Sequence, residues 1–121
     1  MSKQIDYNLG NVVFNNEYST DEAQIGVLDV NGTTKPLYQK TIVTTSISNY
    51  DLSSLNIDKM VYLGGIVYVG NLAYNIPYTY STTYYIAIYY ASATKKIAED
   101  KSSGISPSSY VVTIRYTKTT D

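Results

Sequence analysis

Four local patterns in this chain of 121 residues carry side chains that could do chemistry. Asp29-Val30-Asn31-Gly32 has the beginning of a calcium loop. The following Thr33, Thr34 and Lys35 supply no carboxylate, and the loop's bidentate Glu is missing. Asn-Gly between two apolar runs is instead the signal of a two-residue hairpin turn. Ser92-Ala93-Thr94-Lys95 has the Ser-x-x-Lys spacing of serine β-lactamases, but those enzymes carry the motif on a helix, with partner motifs in a far longer chain. Here it reads as a surface turn. A glycosidase would need two carboxylates converging on a sugar. The only adjacent acids, Asp21-Glu22 and Glu99-Asp100, are sequence neighbours that a strand turns to opposite faces.

The fourth pattern is aromatic. Tyr74, Tyr78 and Tyr80 lie in the uncharged stretch 71–83 with Asn71, Asn75, Thr79, Ser81 and Thr82. Phenol rings give contact area at small entropic cost, and amides and hydroxyls adapt their hydrogen bonds, which is the composition of a recognition surface. Such a loop suits a neutral polar ligand, a surface glycan above all. The alternative is that the three rings pack against a neighbouring subunit or the hairpin at Val30–Pro36.

Composition narrows the classes. With no Cys and no His, disulfide frameworks, zinc fingers and His-dependent acid–base chemistry are excluded. Nine basic and ten acidic residues give a net charge of −1, and no basic run exceeds Lys95-Lys96, so neither duplex nor single-stranded nucleic acid is an expected partner. The longest nearly apolar run, 60–70, is about half the ~20 residues a membrane-spanning helix needs, so no membrane insertion is expected. Fifteen Tyr against one Phe and no Trp, with 27 Ser and Thr, describe a β-rich chain expected to be non-enzymatic and without cofactor or metal.

The elements that would position these residues are strands. A capping pattern, Ser19-Thr20-Asp21-Glu22, predicts a short helical turn after an arm over 1–17 whose hydrophobes are too scattered for a core. Strands are expected over 26–30 and 36–45 around Asn31-Gly32, and over 57–70 with a bulge or close backbone approach at Gly64-Gly65. Further strands are expected over 84–91, more weakly over 95–99, and over 110–118; 71–83 reads as a loop around Pro77 that has room for a short strand. In the last strand Tyr110, Val112, Ile114 and Tyr116 share one face, opposite Val111, Thr113, Arg115 and Thr117. The pattern predicts an all-β, antiparallel, jelly-roll-like sandwich head over 18–121. The strands at 60–69 and 84–91 are apolar or aromatic on both faces. The surplus face, with Tyr85 and Tyr89, is assigned to a subunit interface first and a carbohydrate-facing surface second.

Three segments carry a family resemblance. They are Tyr18-Ser19-Thr20-Asp21-Glu22-Ala23-Gln24-Ile25-Gly26, then Gly32-Thr33-Thr34-Lys35-Pro36-Leu37-Tyr38-Gln39-Lys40, and the closing 111–121, with Tyr116-Thr117-Lys118-Thr119-Thr120-Asp121 at its end. Together with Ile57-Asp58-Lys59-Met60-Val61 they resemble a C-terminal head module of bacteriophage virion surface proteins, of the tail-fibre or head-fibre type. Val27-Leu28 stands where the family has an aromatic, Thr33-Thr34 lengthens the turn, and Gln39 replaces a common Arg. The resemblance implies a virion structural protein, assembled in the host cytoplasm, forming a short fibre or capsid decoration that aids adhesion. It implies a homotrimer attached to other virion proteins through the arm, and it brings no catalytic residue. With about 17 residues before the head, a short appendage is expected. A free carbohydrate-binding module is the alternative, and an enzyme would require a buried carboxylate pair.

Overall fold

Asn31 and Gly32 both take left-handed backbone angles, φ 51° and 81°, which is what a type I′ hairpin turn demands and what Gly grants without steric cost. The turn joins β1 (Ala23–Val30) to β2 (Thr33–Thr44) in a computed structural model that describes residues 19–119. The expected arm over 1–17, Tyr18 and the final two residues lie outside the described residues. The other strands are β3 (Tyr50–Asp51), β4 (Ile57–Val69), β5 (Leu72–Ile76), β6 (Tyr78–Ser81), β7 (Tyr84–Ala91), β8 (Lys96–Lys101) and β9 (Ser109–Lys118). They form two antiparallel sheets, in the orders β1-β2-β9-β4-β5 and β3-β8-β7-β6. The chain is therefore all-β and sandwich-like.

The core lies between the sheets. From β9 come Tyr110, Val112, Ile114 and Tyr116, all buried, as the alternation required; β2 adds Ile42, β4 Val67, and the small sheet Ile86 and Ile97. Ile47, Leu52 and Ile105 come from connections and close the ends. β4 departs from simple alternation. Bulges between Ile57 and Lys59 and between Met60 and Tyr62 shift its register, so Met60 and Leu63 both pack on the core. The sequence pattern had put them on opposite faces.

Two other expectations are corrected. The capping turn does not form: the Ser19 hydroxyl accepts from the Asp21 N–H, no helix follows, and the Glu22 side chain is engaged elsewhere. The stretch 71–83 is not a loop but two short strands. β5 pairs with β4 in the large sheet and β6 with β7 in the small one, and the chain crosses between them at Ile76-Pro77, whose peptide bond is cis. Ser92–Lys95 is the turn between β7 and β8, closed by Lys95 N–H donating to the Ala91 carbonyl (2.8 Å).

Glu22 ties the end of β9 to the segment before β1. Its carboxylate accepts from the Tyr116 hydroxyl and pairs with Lys118 at 2.6 Å; the Lys118 ammonium also lies 5.0 Å from the centre of the Tyr38 ring, which stacks on Tyr116. Lys35 reaches the Lys118 carbonyl (2.8 Å) and Asp58 (3.1 Å). At the other end of the same row the Tyr110 hydroxyl donates to Glu99 of β8, a polar bond between the sheets.

Removing the acceptor strands a buried hydroxyl, whereas removing the hydroxyl leaves Glu22 its lysine. Glu22→Ala should therefore cost about 2 kcal/mol in urea unfolding and Tyr116→Phe about 1 kcal/mol, with the two effects not additive. Burial first, and then the neighbouring carboxylates, push the Tyr110 and Tyr116 phenols well above their ordinary value of 10.0. The folded state thus keeps protons that the unfolded chain releases. Stability should hold up to about pH 10 and fall as pH rises further, and absorbance titration at 295 nm should show these two phenols ionising only with unfolding.

Candidate recognition groove

The tyrosines singled out from the sequence separate in space. Tyr74 of β5 and Tyr78 of β6 stack at 4.2 Å between centroids, and both meet Tyr84 edge-on at 6.4 and 6.2 Å. All three are half-buried against the core, and burial, with Tyr84 beside it, raises the Tyr74 phenol above its ordinary range. Tyr80, at a bulge in the edge strand β6, is 78% exposed. Tyr85 and Tyr89 point to the outer face of the small sheet, Tyr89 opposite Ala98 and 55% exposed, Tyr85 half-buried.

The outer face of the large sheet brings together residues that sequence reading did not connect. Antiparallel register sets Gln39 of β2, Arg115 of β9 and Tyr62 of β4 in one row across three strands. Residues directly opposite one another share a face, here the one away from the core; Arg115 and Tyr62 are exposed on it, whereas Gln39 is buried. The Arg115 Nε–H donates to the Gln39 Oε1 at 2.7 Å, and its guanidinium carbon lies 5.0 Å from the Tyr62 ring centre. The next row is Thr41, Thr113 and Gly64, with the two threonine hydroxyls 3.1 Å apart.

Two glycines lie beside this groove-bearing part of β4. A Cβ on Gly64 would sit 2.8 Å from the Tyr62 hydroxyl, so the missing side chain is what lets the tyrosine lie along its own strand. Gly65 has φ +158°, and a Cβ there would fall 2.0 Å from the Val111 carbonyl oxygen. The Gly64-Gly65 pair is thus a close backbone approach; the bulges of β4 lie elsewhere. Beside it lies a groove of about 440 Å³ walled by Tyr62, Ile66, Asn75, Val111, Thr113 and Arg115. Its volume is in the range of small-ligand sites, though it is open rather than enclosed.

Among the described residues of the lining, Arg115 is the only charged one. The ion pairs among the described residues are Lys35–Asp58 and Lys118–Glu22, so no carboxylate of a described residue pairs with it. A guanidinium held along one edge by an amide and across its face by a ring keeps a fixed direction, and both Nη groups remain for an incoming acceptor. The signal available in the sequence was parity alone: it put Arg115 on the face of its strand opposite Tyr110, Val112, Ile114 and Tyr116, but the strand at 60–69 read as apolar or aromatic on both faces, and only the register joins Tyr62 to Arg115. Among the described residues no group of three or more acids could hold a metal ion, and no helix is long and apolar enough to cross a membrane. No family model matches the chain, and comparison with curated proteins and with solved structures gives no match either.

Gly65→Ala should destabilise the fold by roughly 3 kcal/mol or more, combining a strained backbone angle with overlap onto Val111. Gly26→Ala, where nothing lies within 4 Å of the added carbon, should change stability by less than about 1 kcal/mol. Urea denaturation of the two variants checks the contrast.

Proposed function

We propose that this chain is a non-enzymatic structural subunit of a bacteriophage particle, a short fibre or capsid decoration that projects from the virion and aids adhesion to the host or its surroundings. The observation that carries the reading is the meeting of the resemblance segments. Glu22 from the first, Tyr38 and Lys35 from the second, and Tyr116 and Lys118 from the last form one bonded cluster, with Asp58 of the middle segment attached. Residues scattered over nearly a hundred positions thus act as one unit, which favours a shared module over coincidence of short strings. What the cluster does is hold strands together; it leaves the sheet faces to meet partners.

The subunit reading includes a homotrimer. Tyr85 and Tyr89 give the outer face of β7 a flat aromatic character, and that face is the assigned contact between copies. The alternative, a free carbohydrate-binding module, is favoured by the groove beside Arg115.

Immunogold labelling of purified particles from the source host with antibody to this chain should decorate virions, and mass spectrometry should find the chain in the same particles. Its recovery only as free protein would overturn the particle reading in favour of the free module. Light scattering should give a mass three times the 13.5 kDa of one chain, and Tyr89→Lys should lower it by placing an unpaired charge in the contact. A stable monomer at micromolar concentration would remove the trimer.

A further inference from the structure

We infer that the groove over Gly64-Gly65 binds an acidic saccharide, with Arg115 holding the sugar's carboxylate. The adhesion reading supplies the biological setting on which this rests; the groove itself supplies the chemistry.

Arg115 carries the argument. Its Nε is committed to Gln39 and its face to Tyr62, and neither contact neutralises its charge. The side-chain entropy that a free surface arginine loses on binding has here been lost in folding. The two Nη groups form an end-on pair of parallel donors, the geometry that matches the two oxygens of a carboxylate. An aspartate or glutamate of the same chain would ordinarily fill that place, and none is found among the described residues of the lining.

The rest of the lining selects a sugar as the carrier of that carboxylate. Asn75 offers an amide and Thr113 a hydroxyl, groups that both donate and accept and so match ring hydroxyls. Ile66 and Val111 lie opposite each other on neighbouring strands of the same face and give the C–H side of a pyranose an apolar surface. A single fixed cation among neutral polar groups suits one anionic group on an otherwise neutral, hydroxyl-rich molecule. A polyanion would find no second charge among the described residues of the lining.

The test is a ¹⁵N NMR titration of the full chain with three probes: methyl β-D-glucuronide, its neutral isostere methyl β-D-glucoside, and glucose 6-phosphate. The glucuronide should shift the resonances of Tyr62, Asn75, Thr113 and Arg115, and bind at least about tenfold more tightly than the glucoside, the order of one bidentate charged contact. Its affinity should fall as salt rises. Arg115→Lys, which keeps the charge but loses the paired donors, should weaken the glucuronide by about tenfold while leaving the spectrum folded. Equal binding of glucuronide and glucoside, shifts located away from the groove, or an unchanged affinity in Arg115→Lys would overturn the inference. Tighter binding of glucose 6-phosphate than of the glucuronide would reassign the anion to phosphate and overturn the carboxylate. Because the titration uses isolated protein, its failure would leave the particle reading standing, and absence from virions would leave a positive titration intact.

Discussion

Nearly every aromatic ring in this protein ends in a hydroxyl: fifteen tyrosines against one phenylalanine and no tryptophan. A core built from such rings must find an acceptor for each phenol it removes from water, or lose more in desolvation than the ring contributes by packing. The inward row of β9 shows the consequence. It begins at Tyr110 and ends at Tyr116, and at each end a glutamate is drawn to the hydroxyl, Glu99 from the opposite sheet and Glu22 from the segment before β1. No buried side-chain nitrogen or oxygen among the described residues lacks a partner. Where no carboxylate is at hand, as with Tyr74, Tyr78 and Tyr84, the rings stay half-buried and stack on one another at the margin of the core.

This constraint also explains what the recognisable motifs are for. Ser-Thr-Asp-Glu before the first strand, Leu-Tyr-Gln-Lys in the second and Tyr-Thr-Lys in the last look like candidates for a site when read as strings. In space Glu22, Tyr38, Tyr116 and Lys118 satisfy one another. An acid whose oxygens are taken by a phenol and an ammonium has little left for a ligand. The motif therefore reports on the fold, and recognition must use residues outside it. Arg115 is an informative exception: it sits within a motif segment, but its parity turns it away from the core, where it lies over Tyr62 and is held by the buried Gln39.

Local pattern made much of the fold legible. Asn31-Gly32 marked its hairpin, strict alternation marked the buried row of β9, and the doubled glycine marked a close backbone approach between β4 and β9. What stayed hidden was decided at long range. The bulge between Met60 and Tyr62 shifts the strand by one residue and carries Met60 to the core beside Leu63, and no feature of the sequence locates such a bulge. Tyr74 and Tyr78 read as loop because Pro77 interrupts them, yet the proline is the corner between two strands of different sheets, which is where the loss of a ladder donor does least harm. The row Gln39–Arg115–Tyr62 depends on the order β2-β9-β4 and could not be read before that order was known.

The two outer faces differ in the side chains they present. The outer face of β7 presents Tyr85, Ala87 and Tyr89 on a strand paired in regular register with β8. That of β4 carries Tyr62 and Ile66 beside the close backbone approach at Gly64 and Gly65, and a groove lies there. A flat surface recruits area from a partner of similar shape, whereas a hollow with one oriented cation recruits a small molecule. The sheet margins add to this division. Of the edge strands, β3 has two residues, β6 has four and a bulge, β5 has five, and β1 is bulged between Gln24 and Gly26. Short and irregular edges discourage ladder-to-ladder growth. Any contact made through the faces is then decided by side chains rather than by backbone.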